Sequence, residues 1–441
     1  MTPETQFAQN QEVTIAYQVF GGGPNDLLII PGWLSNLDIF WEEPRVARFF
    51  LALASFSRVI IIDRRGTGLS DRVAPPTIEI QMDDVIAVMD AANSKSATLL
   101  GYSEGAQMCT LFAATHPERT TSLIVVGGSA KTVKSDDYPI GPDRADIEYW
   151  FTEVEKEWGG PIAIASITPS LVNDEKHRRW LAKFFRSSAS KADAIALLKM
   201  GLGIDLRAVL PSISAPTLVL HAQGDLTCHI DRGRDLANRI QNAKFVEMEC
   251  SDHAPYGSCS DRIVGEIEAF LGKGQKAYVT DRVLTTVLFT DIVDSTKLAV
   301  DMGDVIWSDL LEEHHEAVRH ALEIFRGHEV KTTGDGFHAT FDGPARAIQC
   351  AAAIRESTHR LGLNLRIGIH TGECEIRGES LEGVTIHVAA RVSAMAPGGD
   401  ILVSRTVKDL VSGSGIEFED FGTHSLKGIT DEYQLFKVRG I

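Results

Sequence analysis

The stretch ATLLGYSEGAQMCTLFAATH, Ala97 to His116, joins a short apolar run to a helical pattern through Gly101-Tyr102-Ser103-Glu104-Gly105. An apolar run bounded by glycine reads as a buried strand, and the longer segment after it reads as a helix. A strand-to-helix turn this tight needs glycines on both sides of the Ser to relieve crowding. It leaves Ser103 strained and exposed, with the positive end of the new helix directed at its hydroxyl. The pattern G-x-S-x-G is weak by itself; its place between a strand and a helix gives it weight.

Further runs surround it. DLLIIPG (Asp26–Gly32), RVIIID (Arg58–Asp63), SLIVVGG (Ser122–Gly128), PTLVLHA (Pro216–Ala222) and KFVEMEC (Lys244–Cys250) read as buried strands, and MDDVIAVMDAA (Met82–Ala92) as a helix between them. Strand-helix alternation implies a mostly parallel sheet covered on both faces. From about 131 to 210 the strand runs stop and amphipathic segments such as KHRRWLAKFFRSS and KADAIALLKM take over, which reads as an inserted helical cap. DRIVGEIEAFL closes this first domain, placed at 1–272. The polar, Gly-containing residues 273–282 read as a linker, and residues 283–441 as a second domain.

A Ser nucleophile needs a base and a group that orients the base. Asp225 follows the strand TLVLHA and His253 follows FVEMEC, so the chain order is Ser, Asp, His. Asp252 and Asp231 are weaker alternatives for the acid. The Trp33 and Glu104 N–H groups are the candidate oxyanion donors. Each residue has a plainer reading: a loop histidine for His253, a Gly-Asp turn for Asp225.

These residues resemble the α/β-hydrolase family over about residues 12 to 271, and IDRRGTGLSD (Ile62–Asp71) is similar to the loop ahead of that family's first long helix. The resemblance implies acyl transfer on a small ester or thioester. Pro31 stands where family members often have His. Hydrolase folds are also reused as binding modules, so a sensor that does not turn over its ligand stays open.

The composition sets outer limits. The chain has 441 residues, 44 % hydrophobic and 7 % aromatic, which suits globular cores. A net charge of −17 argues against a nucleic-acid partner, although a nucleotide needs only a local cationic site. Neither a secretion signal nor a membrane-spanning run is expected. The six scattered Cys suggest reduced thiols and a cytoplasmic protein.

In the second domain, VLFTDIVDST (Val287–Thr296) ends a strand on Asp291, and EVKTTGDGFHATF (Glu329–Phe341) reads as a hairpin with Asp335 at its tip. Two carboxylates brought together repel unless a divalent cation lies between them, and Mg²⁺ held by one or two carboxylates plus phosphates is common at nucleotides. Singly, Asp291 could be a helix cap and the Gly-Asp-Gly a mere turn.

FTDI, KTTGDGF, GIHTGE and HVAAR occur in the order found in class III nucleotidyl cyclases, which residues 283–441 resemble. The resemblance implies a ferredoxin-like α+β domain, ATP as substrate, and a head-to-tail homodimer with sites at the interface. It implies two Mg²⁺ or Mn²⁺ ions per site on Asp291, Asp335 and the Ile292 carbonyl. It also implies base recognition by Lys331 and Ser380, charge stabilisation by Arg391 and His387, and a triphosphate contact from Lys427. His387 stands where the family usually has Asn. Ser380 stands where adenylyl cyclases more often carry Asp or Thr.

The whole-chain expectation is an adenylyl cyclase with an N-terminal serine-hydrolase-like domain that hydrolyses or senses a small acyl compound. The alternative is a serine esterase whose impaired cyclase domain serves as a dimerisation or nucleotide-binding module.

Overall fold

A computed structural model describes residues 2–73, 77–272, 282–377, 380–429 and 431–440; within these, the side chains of residues 282, 333, 376, 377 and 380 are not described. The chain divides into two compact units, residues 1–280 and 281–441. Residues 273–281, most of the expected linker, lie outside the described set; Arg282 already begins a strand.

The first unit is built on one sheet. Its strands are β1 (Thr5–Asn10), β2 (Val13–Phe20), β3 (Asp26–Ile30), β4 (Arg58–Ile62), β5 (Ala97–Tyr102), β6 (Thr120–Val126), β7 (Thr217–Ala222) and β8 (Lys244–Met248). The spatial order is β1-β2-β4-β3-β5-β6-β7-β8, parallel from β4 to β8 and antiparallel at the β1-β2-β4 edge. The Val-, Ile- and Leu-rich central strands are buried throughout, as a sheet covered on both faces requires.

β1 and β2 are additions to the sequence reading, which began its strands at Asp26. β2 does not alternate cleanly: Ala16 and the polar Gln18 are both fully buried. Gln18 is tolerated there because it accepts from Trp41 Nε1 (2.8 Å) and donates to Thr5 Oγ1 (2.9 Å).

The segment between β6 and β7 is helical. Helices Arg144–Glu157, Glu175–Ser188 and Lys191–Leu202 start at Asp143, Asp174 and Ser190, whose side chains accept first-turn N–H groups. Their inner faces, including Leu181, Phe184, Phe185 and Leu197, join the core cluster of the sheet.

One thiol expectation is corrected. Cys250 and Cys259 form a disulfide with Cα atoms 6.2 Å apart, at either end of the loop that carries His253. Scattered spacing in sequence concealed a contact made by the turn from β8 into helix Ser260–Leu271. Cys109, Cys228, Cys350 and Cys374 are free and buried.

The second unit holds β9 (Arg282–Ile292), β10 (His328–Thr333), β11 (Gly336–Phe341), β12 (Leu365–Arg377), β13 (Ser380–Glu382), β14 (Ile401–Ser404), β15 (Glu417–Ser425) and β16 (Glu432–Gly440). The order is β10-β11-β9-β12-β14-β16-β15, with β13 paired to β12. Side chains alternate across the central strands. Leu288, Ile367 and Ile369 pack with helices Asp304–Ile324 and Pro344–Arg360. Val287 and Cys374 pack with helix Val384–Met395 on the other face. This is an α+β layer with helices on both sides.

The core supplies a direct test. Leu100 on β5 is fully buried in the first unit's main cluster. Leu100→Ala is expected to cost about 2–5 kcal/mol of that unit's stability by urea denaturation, while the second unit's transition stays in place.

Candidate active sites

Ser103 is the N-terminal cap of helix Glu104–Thr115 and has φ 54° and ψ −126°. A non-glycine residue at positive φ is uncommon and costs of order 1–3 kcal/mol. The turn is enforced by contact. A Cβ on Gly105 would sit 2.2 Å from the Ile30 carbonyl oxygen, and one on Gly101 2.5 Å from Ala106 Cα. Helix and sheet therefore approach at backbone distance, and the chain rises over Ser103.

Asp225 and His253 meet at the ends of β7 and β8. His253 Nδ1 lies 2.7 Å from Asp225 Oδ2, and both side chains are buried. Asp225 Oδ1 also accepts the Thr227 and Cys228 N–H groups at 2.8 Å. Burial alone would depress the His253 imidazole, but the Asp225 charge and hydrogen bond outweigh it and its pKa lies above the usual 6.5. His253 Nε2 is buried without a hydrogen-bond partner. It does not hydrogen-bond Ser103 in this state, yet both residues line one cavity of about 230 Å³.

The alternatives for the acid are excluded by position. Asp252 accepts from Ser170 and Ser258, holding the loop, and Asp231 pairs with Arg234 on the surface. His221 also approaches Asp225, at 3.6 Å, but burial lowers its pKa and its Nε2 lies 2.6 Å from the Cys228 carbonyl.

Arg64 went unnoticed in the sequence. It is buried, donates to the Gly32 carbonyl at 3.0 Å and to Gln81, and lies 3.6 Å from Glu104. C=O and N–H point opposite ways across a trans peptide. Holding the Gly32 carbonyl therefore turns the Trp33 N–H the other way. The signal was present as IDRRG, but only burial of Arg64 reveals its use.

In the second unit the antiparallel register does the placing. Thr290 pairs with Phe337 and Asp291 with Arg366, while Thr333 pairs with Gly336 across the two-residue turn Gly334-Asp335. Gly334 has φ 69°, which suits its turn position. Asp291 and Asp335 are thereby neighbours. Partial burial and the nearby Asp335 charge raise the Asp291 pKa, with Arg366 opposing. Two mutually repelling carboxylates beside the chain end of β9, where the Ile292 carbonyl lies, fit a divalent cation. Among the described residues no cluster of three or more His, Cys, Asp or Glu side chains could hold a metal, so such an ion would need backbone or phosphate oxygens.

Lys331 is exposed on the edge strand β10, and Lys427 is exposed after β15. His387 and Arg391 occupy one exposed face of helix Val384–Met395, four residues apart. No hydrogen bond or ion pair among the described residues joins them to Asp291 or Asp335. The Ser380 side chain lies outside the described residues.

Comparison with known proteins agrees with this division. The chain belongs to the alpha/beta hydrolase fold family, whose model matches residues 26–257. The adenylate and guanylate cyclase catalytic domain matches residues 277–440. A pimeloyl-[acyl-carrier protein] methyl ester esterase from Aeromonas hydrophila subsp. hydrophila is 28 % identical over 272 residues, 59 % of this chain and 100 % of the esterase. The receptor-type adenylate cyclase GRESAG 4.3 of Trypanosoma brucei brucei is 25 % identical over 207 residues, 35 % of this chain. The chain spans only 17 % of that cyclase's length. Bromoperoxidase from Bacillus anthracis shares the fold of the first unit, with a TM-score of 0.54 at 22 % identity over 61 % of this chain and 100 % of the other. No helix among the described residues is long and apolar enough to cross a membrane.

The His253 geometry predicts a pH profile. A base must be neutral, so labelling of Ser103 by a fluorophosphonate should rise with pH through a midpoint above 6.5. Asp225→Asn should slow labelling by about 10³- to 10⁴-fold. A pH-independent rate would separate His253 from the hydroxyl.

Proposed function

We propose that the chain is an adenylyl cyclase that converts ATP to 3′,5′-cyclic AMP and pyrophosphate at sites shared by two copies, and that its first unit is a serine hydrolase for a small acyl ester. One observation carries the cyclase reading. Asp291 and Asp335 form a carboxylate pair, while Arg391, His387 and Lys331 are exposed and have no described hydrogen bond or ion pair with either. These cations are thus free to act on a second copy, as a head-to-tail homodimer needs.

In that dimer, Asp291, Asp335 and the Ile292 carbonyl would hold two Mg²⁺ or Mn²⁺ ions. Bound there, the ions supply neutralisation of the triphosphate and a lowered pKa for the ribose 3′-hydroxyl. The ribose oxygen attacks the α-phosphorus in line, its proton passes to solvent, and pyrophosphate leaves as the ring closes. Arg391 of the partner subunit and His387 of the partner subunit donate hydrogen bonds to the α-phosphoryl oxygens as charge builds. Lys331 of the partner subunit, donor-only, pairs with adenine N1, an acceptor; guanine N1 carries a proton and is refused. Ser380 of the partner subunit accepts from the adenine amino group, and Lys427 meets the terminal phosphates.

The Ser103 site supports the second activity. Ser103 Oγ attacks the ester carbonyl and passes its proton to His253 Nε2, which is unoccupied and ready. The Trp33 and Glu104 N–H groups stabilise the oxyanion. The alcohol departs with that proton. Water then cleaves the acyl-serine with His253 as base, which releases the acid and restores Ser103. The largely apolar cavity suits an acyl chain, and the full-length match to a methyl ester esterase supports an ester as substrate.

Incubation with ATP and Mn²⁺ distinguishes this reading from an esterase whose cyclase unit only dimerises. Asp291→Ala and Asp335→Ala should each cut cyclic AMP formation at least about a hundredfold with the fold intact, since each removes a metal ligand rather than packing. Mixing Asp291→Ala with Arg391→Ala should restore about a quarter of the unmodified activity, because random exchange makes half the dimers mixed and each holds one intact site. No recovery in demonstrated mixed dimers would contradict the shared site. ATP should exceed GTP in kcat/KM, and Lys331→Glu should lose most of the ATP activity. A GTP value at or above that for ATP would remove Lys331 from base recognition.

A further inference from the structure

We propose that Arg232 makes the Ser103 cavity a binding site for acyl compounds that carry a carboxylate at the end remote from the ester. This rests on the hydrolase reading for its chemistry, but not for the binding itself.

Arg232 stands in the first turn of helix Ile230–Arg239 and is 7 % exposed. It lines the same cavity as Ser103 and His253. Its Nη2 donates to Ser129 Oγ (2.8 Å) and to the Lys131 (3.3 Å) and Thr132 (3.4 Å) carbonyls. All three acceptors are uncharged. Its Nε is enclosed and has no partner. No described carboxylate forms an ion pair with it. The three nearest by sequence are committed elsewhere: Asp231 to Arg234, Asp235 to Arg239, and Asp225 to His253 and two backbone N–H groups.

A guanidinium that remains charged at any working pH is costly to bury without an anion. This one faces a cavity open to ligands, so the missing anion has a place to come from. The cap adds apolar lining to the same cavity, with Trp150, Phe151, Phe184, Phe185 and Leu198. An acyl chain along those rings would present its carbonyl at Ser103 and its terminal carboxylate at Arg232. With Nη2 engaged, a carboxylate would meet the remaining guanidinium N–H groups through a charge-assisted hydrogen bond. The chemical class is therefore a half-ester or half-thioester of a straight-chain dicarboxylic acid. Hydrolysis of such an ester yields the dicarboxylic acid and the free alcohol or thiol.

The test compares p-nitrophenyl half-esters of straight-chain dicarboxylic acids with p-nitrophenyl esters of monocarboxylic acids of equal length, using the full chain. The best half-ester should exceed its neutral counterpart at least about tenfold in kcat/KM. Arg232→Gln should lose about ten- to hundredfold on the half-ester, the range for removing a hydrogen bond to a charged group. Its activity on the neutral ester should change less than about threefold. Arg232→Lys, keeping charge without the guanidinium, should fall between. If Arg232 only clamps the loop at Ser129, both ester classes would fall together. Equal efficiency of the two classes on the unmodified protein overturns the proposal without any variant. The binding arm separates the two readings: Ser103→Ala protein should bind adipate but not hexanoate by calorimetry, and the added Arg232→Gln should abolish this. Adipate binding with no fluorophosphonate labelling of Ser103 would sink the hydrolase and keep the anion site; labelling with no adipate binding would do the reverse.

Discussion

Backbone contact between helix Glu104–Thr115 and β3 is the constraint from which the first unit's site follows. There is no room for a single methyl group at Gly105 or Gly101. With the helix pressed that close, the peptide joining it to β5 turns through a conformation that costs energy, and Ser103 occupies it. The parallel order then sets the rest. β6, β7 and β8 lie successively beyond β5, so loops leaving their C-terminal ends reach over the same edge. Asp225 and His253 come from two of those loops, and the Gly32–Trp33 peptide from the loop after β3. Four separate chain segments meet because one turn could not be made looser.

The second unit solves a different problem. On the proposed cyclase reading, a nucleotide triphosphate brings its own charge, so the protein would present charge rather than enclose it. Asp291 and Asp335 are held at a hairpin tip and a strand end, where repulsion between them is carried by a stiff antiparallel register. Arg391, His387 and Lys331 are exposed and form no described ion pair with either carboxylate. An ion pair between Arg391 and Asp291 in the same copy would satisfy both and leave neither for phosphate. In the proposed dimer both charges stay available to the nucleotide.

What could be read from sequence divides along burial. Strands of continuous Val, Ile and Leu, and motifs tied to glycine, were legible because their residues have few alternative uses. The Asp291–Asp335 proximity followed from turn chemistry. β2 was missed because its buried face includes Ala16 and Gln18, a pattern resembling neither alternation nor a full apolar run. The Cys250–Cys259 pairing depends on how a loop folds back, which spacing does not state. Nothing in the sequence marks Arg64 or Arg232 as buried. An arginine's meaning depends on whether it is covered, and the cover comes from residues far along the chain, such as Gln81 for one and the loop at Ser129 for the other.

Those two buried arginines sharpen the distinction between scaffold and site. Arg64 has the Glu104 carboxylate at 3.6 Å, the Gln81 amide on two of its nitrogens, and the Gly32 carbonyl on a third. Its charge is answered within the chain, and removing it would unpair Glu104 and free the Gly32 peptide. Arg232 donates from one nitrogen to a hydroxyl and two carbonyls, with the uncharged Tyr138 hydroxyl beside it. Dipoles of that kind compensate a guanidinium in part, since none carries net charge. Both residues lie in the same unit, so the contrast comes from their partners alone. A fold that can supply a carboxylate to one buried arginine, and commits the acids near the other to different tasks, leaves that second charge to be met by what enters the cavity.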